Sequence, residues 1–192
     1  MARPDPRPDL TLPLERLIQN IVEHVEELAD TDPMEILLVA LSARGAGAAT
    51  VRPFADFAQS VQIDGVPKRW ELGLRPIFFQ TGDATRRLTT IIHELLHMSS
   101  TDPSGLRPEF RHANCSQDQL DQLASKISEY WLTVGDIDLI QPLAHHGEGL
   151  FRHWLIRPHL SLKERDFSKK DIFDAPICMV TPQKKRSVWW VQ

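Results

Sequence analysis

Several things are scarce in this chain of 192 residues. Its two cysteines, Cys115 and Cys178, stand far apart and form neither a disulfide framework nor a CxxC metal pair. Cys115 reads as a small buried hydrophobe rather than a nucleophile. No uninterrupted apolar run approaches the ~18 residues of a membrane helix, so no membrane association is expected. The formal net charge of −4 gives no overall basic field that would demand an anionic polymer as partner. The opening stretch, MARPDPRPDLTLP, has no apolar segment of the kind a secretory signal needs. These absences together predict a reducing, cytoplasmic setting. The remaining composition, 42% hydrophobic and 25% charged, is that of an ordinary globular chain and excludes collagen-like, coiled-coil or wholly disordered classes. What is plentiful is histidine. There are eight, against a single tyrosine.

The first eleven residues are proline-rich and are expected to form a disordered tail, with residues 12–192 as one domain. From Pro13 to Ala29 the residues Leu17, Ile18, Ile21, Val22, Val25 and Leu28 recur at helical spacing, and Asp30-Thr31-Asp32-Pro33 stops the helix. Glu35 to Ser42 is a short apolar run before Arg44-Gly45-Ala46-Gly47 and predicts a buried strand. Those glycines lack the spacing and the lysine of a phosphate-binding loop. Two further strands are predicted, Ser60–Ile63 and Arg69–Phe79, joined through the hairpin signal Asp64-Gly65. Asp83 is the expected N-cap of a helix reaching Met98. Ser99 to Pro108, with two prolines and a glycine, must be loop. Ser116 to Leu132 returns to helical spacing. Weaker signals predict a helix between Leu143 and His159, and strands at Ile172–Val180 and Ser187–Val191. The order predicts an α+β fold.

Within the Asp83 helix stands His93-Glu94-Leu95-Leu96-His97. Residues four apart on a helix differ by about 40° in azimuth and about 6 Å in height, so two imidazoles at that spacing can converge on one metal ion. The glutamate one residue on reaches a water beside the metal without ligating it. At 100° per residue, Leu88, Ile91, Ile92, Leu95 and Ser99 cluster within about 60° of one direction, and His93 and His97 point about 140–180° from it. One side is built for packing, and the other presents two histidines and a carboxylate. A catalytic zinc takes three protein ligands and a water. Candidates for the third are His112, Glu109, Glu129 and Asp118, although on the Ser116–Leu132 wheel Glu129 and Asp118 both point away from the apolar side.

The HExxH string resembles the active-site helix of zinc metallopeptidases of the zincin type. Ser100 and Pro103 occupy the glycine and third-histidine positions of the metzincin pattern, which excludes that subgroup. HExxH, loop, histidine and helix in sequence is similar to SprT-like proteins and predicted bacterial and phage metallopeptidases, with Ala113 where those often carry glycine. The resemblance runs from about Trp70 to Leu132. It implies a small mixed sheet packed on the HExxH helix, an edge strand that pairs with extended peptide, and zinc held by His93, His97 and His112. Glu94 would be the general base, taking the water's proton and delivering it to the leaving amine. Arg69–Phe79 is the expected edge strand, and a peptide or protein the expected substrate. A catalytically silent zinc-binding module with the same ligands is the alternative.

The other histidines receive plainer readings. His24 lies beside an apolar stripe, and neither it nor His159 requires a functional role. His145, His146 and His153, near Glu148, are expected at a surface or cleft edge, with oxyanion stabilisation as the sharper alternative, open also to Tyr130 and Arg111. Lys169-Lys170 and Lys184-Lys185-Arg186, the latter beside Trp189-Trp190, could meet single-stranded nucleic acid by charge and stacking, a partnership that the net acidity of the chain opposes.

Overall fold

A computed structural model describes residues 9–41, 47–53, 61–111, 116–147, 150–151, 166–167 and 177–179. The fold is mixed α+β. Helix α1, Thr11–His24, buries Leu14, Leu17, Ile18, Ile21 and Val22, most of the stripe its apolar spacing predicts. It ends at His24, five residues before the expected Ala29: Val25 is extended, and Leu28 is buried from a 3-10 turn, Glu26–Leu28. Leu10 is only 2% exposed. Its N–H donates to Ile177 O at 2.7 Å, and Thr11 Oγ1 accepts from Ile177 N at 2.8 Å. The folded part therefore begins by Leu10, earlier than the proline content suggests. At the other end His24 Nδ1 lies 2.9 Å from the Asn20 carbonyl. A last-turn carbonyl is capped in this way, and the contact accounts for His24 without a ligand role.

Strands β1 (Ile36–Ala40), β2 (Ala49–Pro53) and β5 (Trp70–Leu74) form a three-stranded mixed sheet in the order β1-β5-β2. β1 runs parallel to β5, with Ile36 opposite Trp70, and β2 runs antiparallel to it, with Val51 opposite Leu72. All five residues of β1 and all five of β5 are buried. This corrects the assignment of Arg69–Phe79 as an edge strand: its extended part stops at Leu74 and is the centre of the sheet. Pro76 lacks the N–H a ladder needs, and Pro76–Phe79 coils into a 3-10 turn. Of the two strands at the edges of this sheet, β1 is wholly buried and β2 largely is not.

The Asp64-Gly65 signal makes a tight hairpin, between β3 (Val61–Ile63) and β4 (Val66–Lys68). Asp64 at φ 52° and Gly65 at φ 76° have the paired positive φ that a right-twisted two-residue hairpin favours. Val66 and Pro67 are thus strand, where a connection was expected. Two-residue strands complete the described sheets. β7 (Asp166–Phe167) pairs with β3, and β6 (Leu150–Phe151) pairs with β8 (Cys178–Met179). The expected Leu143–His159 helix is replaced over its described residues by the end of a 3-10 segment, Ile137–Ala144, and by β6. The expected strand at 187–191 lies outside the described residues.

Helix α2, Ala84–Leu96, starts where expected. Asp83 is its N-cap, with the side chain accepting from Arg86 N at 2.9 Å. Helix α3, Gln117–Val134, opens with a capping box in which Ser116 and Gln119 satisfy each other's backbone N–H groups. α2 lies between the sheet and α3. Its Leu88, Ile91, Ile92, Leu95 and Leu96 join Trp70, Leu72, Phe78 and Trp131 in the core. Thr89 Oγ1 meets Ser128 Oγ at 2.9 Å, and this contact with the His93–Asp121 contact described below sets α2 and α3 antiparallel. No helix among the described residues is long and apolar enough to cross a membrane.

Candidate metal centre

His93 and His97 meet as their spacing predicts. Their Nε2 atoms are 3.3 Å apart, with ring centroids at 5.1 Å and planes crossing at 74°. Two nitrogens each about 2.05 Å from one tetrahedral ion would stand about 3.3 Å apart. The pair therefore has the separation that a shared zinc ion requires. His97 follows the last helical residue but keeps helical backbone angles, φ −70° and ψ −20°, so it stays on the face of His93. Both imidazoles are buried, at 7% and 8% exposure. The wheel alone placed them on a polar side. That side is covered by α3, which turns it into the wall of a cleft.

Glu94 points from the same turn toward the sheet, and its Oε2 accepts from Val51 N of β2 at 2.8 Å. Burial raises its pKa to about 7; the Val51 bond and Arg75 oppose the rise, and the Asp121 charge adds to it. A carboxyl poised there can accept and return a proton near neutral pH.

Helix α3 supplies two residues that the sequence reading missed. Asp121 Oδ1 lies 2.8 Å from His93 Nδ1, off the line of a straight N–H···O bond. A carboxylate there favours the proton on Nδ1 and leaves the Nε2 lone pair facing His97. Gln117 places its side-chain nitrogen 3.4 Å from His93 Nε2 and 3.3 Å from Asp121 Oδ1. The signal for both was present. Gln117, Asp121, Ala124, Ser128 and Trp131 share one 4-3-4-3 stripe, the last three of them buried.

Two cavities, of about 620 and 570 Å³, meet at this cluster, and His93, Glu94 and Gln117 line both. The first extends along α2 past Thr89 and Thr90. The second runs under Ala49, Thr50 and Val51 of β2, past His97, to Leu106 and Arg111.

The remaining candidates sort clearly. His112 lies outside the described residues, as do His153, Glu148 and His159. The chain on either side of His112, at Arg111 and Gln117, lines the cleft together with both motif histidines. Asp118 and Glu129 are exposed, as their wheel positions predict. Glu109 opens instead on a separate cavity beside Asp30 and Asp102. Tyr130 is 55% exposed on α3. His145 and His146 belong to the other end of α2, where His146 Nδ1 sits 3.1 Å from Arg87 Nη2. Among the described residues no group of three histidine, cysteine or acidic side chains is placed to hold a metal. No protein-family model, curated protein or solved structure matches the chain.

Proposed function

We propose that the chain is a zinc-dependent peptidase of the zincin kind, acting in the cytoplasm on peptide or protein substrates. The observation that carries this reading is the 3.3 Å approach of the His93 and His97 Nε2 atoms beside a carboxyl of raised pKa in an open cleft. His93, His97 and His112 would hold the ion. The placement of Arg111 and Gln117 along the cleft supports the choice of His112.

Zinc at such a site supplies Lewis acidity, polarising a carbonyl and lowering the pKa of water. The chain's own residues do the rest. Asp121, 2.8 Å from His93 Nδ1, favours the tautomer whose Nε2 is free to ligate. Glu94, one oxygen fixed by the Val51 N–H, receives the proton of the attacking water and passes it to the leaving amine. β2, as the edge strand over the cleft, offers main-chain groups to an extended peptide.

The test is elemental analysis of protein purified without added metal. About one zinc per chain is expected, as for a catalytic site with a single ion, and its loss in His93→Ala. A metal-free protein whose stability ignores chelators would exclude the reading. Glu94→Gln is expected to keep the zinc and lose hydrolysis. Zinc binding with no hydrolysis by the wild type would mark a binding module instead.

A further inference from the structure

Gln117 is the first residue of α3 and is exposed, yet both contacts of its amide nitrogen point into the cleft. A carboxylate only accepts, so Asp121 Oδ1 selects the NH2 end of the amide and fixes which way the group faces. The second N–H is directed at His93 Nε2. With the proton on Nδ1, which lies 2.8 Å from Asp121 Oδ1, Nε2 carries the lone pair. An imidazole nitrogen has one lone pair to give. Were that lone pair given to a metal, the Gln117 N–H, held by Asp121, would be left to address an oxygen bound in the cleft. The described oxyanion candidates read from sequence are worse placed: His145 and His146 lie at the far end of α2, beside Arg87. Tyr130 is 55% exposed, and the Arg111 guanidinium is engaged by Ser104 and Asp102.

We propose that Gln117 is a catalytic residue whose side-chain amide donates to the oxygen of the scissile carbonyl; this rests on the zinc-peptidase reading. Water oxygen bonds to the carbonyl carbon as Glu94 takes its proton, and the C=O π pair moves onto the oxygen facing Gln117. On collapse the pair returns, the C–N bond breaks, and the amine leaves with the proton from Glu94. Gln117 exchanges no proton. Its hydrogen bond strengthens as charge gathers on the oxygen, which is what lowers the barrier.

The test compares full-length, zinc-loaded wild type with Gln117→Ala and Gln117→Glu. Hydrolysis of labelled casein, affinity for N-phosphoryl-Leu-Trp as a tetrahedral mimic, and zinc affinity against a chromophoric chelator are measured. Gln117→Ala is expected to lower kcat about 10²- to 10³-fold and to weaken the phosphoryl dipeptide comparably. KM and zinc affinity should stay within about threefold of wild type, because only the transition state loses a contact. Gln117→Glu keeps the shape, loses both donors and should fall at least as far. Wild-type kcat in Gln117→Ala overturns the proposal. So does a loss of zinc affinity in step with kcat, which would make Gln117 a ligand. A wild type that binds no zinc or hydrolyses nothing overturns the underlying reading as well, and does so before any variant is compared.

Discussion

The two ends of α2 both bury groups that water would otherwise hold, and they do so in opposite ways. At the N-terminal end Arg87 is 1% exposed. Its guanidinium donates to the carbonyls of Phe78, Phe79, Thr81, Gly82, Leu143 and His145, at 2.6–3.2 Å. Those carbonyls belong to the 3-10 turn before α2, the loop leading into it and the end of the Ile137–Ala144 segment, so one side chain ties three pieces of chain together. Two turns along, His93, Glu94 and His97 turn their polar atoms toward a cleft. Two Nε2 atoms and an amide crowd one point, and a carboxyl has its pKa lifted to about 7. Burial alone does not tell the two ends apart. The difference is whether the polar atoms close on the protein itself or converge on an open cleft.

Breaking the closed end should have the largest effect. Arg87→Met leaves six buried or part-buried carbonyls without their donor and is expected to destabilise the fold by about 3–5 kcal/mol, read as a shift in the denaturant midpoint. At the open end, Glu94→Gln should lower kcat by about 10²- to 10⁴-fold while leaving the fold intact. The same variant sharpens the contrast through pH. A folded-state carboxyl raised from 4.5 to about 7 binds more protons than the unfolded chain between those values. Stability of the metal-free protein should therefore fall as pH rises through that window, by on the order of 2–3 kcal/mol. In Glu94→Gln the fall should vanish, since the amide oxygen still accepts the Val51 N–H and carries no titration. Asp121→Ala, which removes the partner of His93 Nδ1, is expected to weaken zinc binding about 10- to 100-fold with little change in melting temperature. Tyr130→Phe should change neither hydrolysis nor stability measurably. A large loss of activity there would mean that α3 faces the cleft differently.

The sequence was most informative where a residue type has only one cheap conformation or one periodic neighbourhood. Asp83 announced its helix because its side chain satisfies an N–H group that otherwise has no partner, and α3 announced itself by the helical spacing of its apolar residues. Asp64-Gly65 announced its turn because both residues tolerate positive φ. The buried strand β1 stood out as an apolar run. β2 did not: it is five residues long, and only Ala49 among them is buried, so no alternation marks it. Yet β2 is what Glu94 grips through Val51. Asp121 and Gln117 escaped for a related reason. Each is exposed on its own helix, and only the antiparallel seating of α3 on α2 brings them to His93. Arg87 looked like any helix-surface cation, because six backbone acceptors drawn from three segments leave no trace in the string of residue types.

The stretch after α2 folds back on its own origin. Met98 and Leu106 form a β-bridge, Ser99 N donates to Gly105 O at 3.1 Å, and Arg107 N donates to His97 O at 2.8 Å. Trp70 Nε1 fastens the turn from beneath through Gly105 O at 2.7 Å, and the Arg107 side chain binds Asp30 and the Met98 carbonyl. The excursion therefore returns the chain beside the second motif histidine, whatever lies at its tip. Lengthening the tip by several residues would cost little loop entropy and leave Arg111 and Gln117 where they are. The count of residues between the motif and the groups that complete the cleft is thus a free variable of this architecture. A fixed-gap sequence pattern is the wrong instrument for finding its kin.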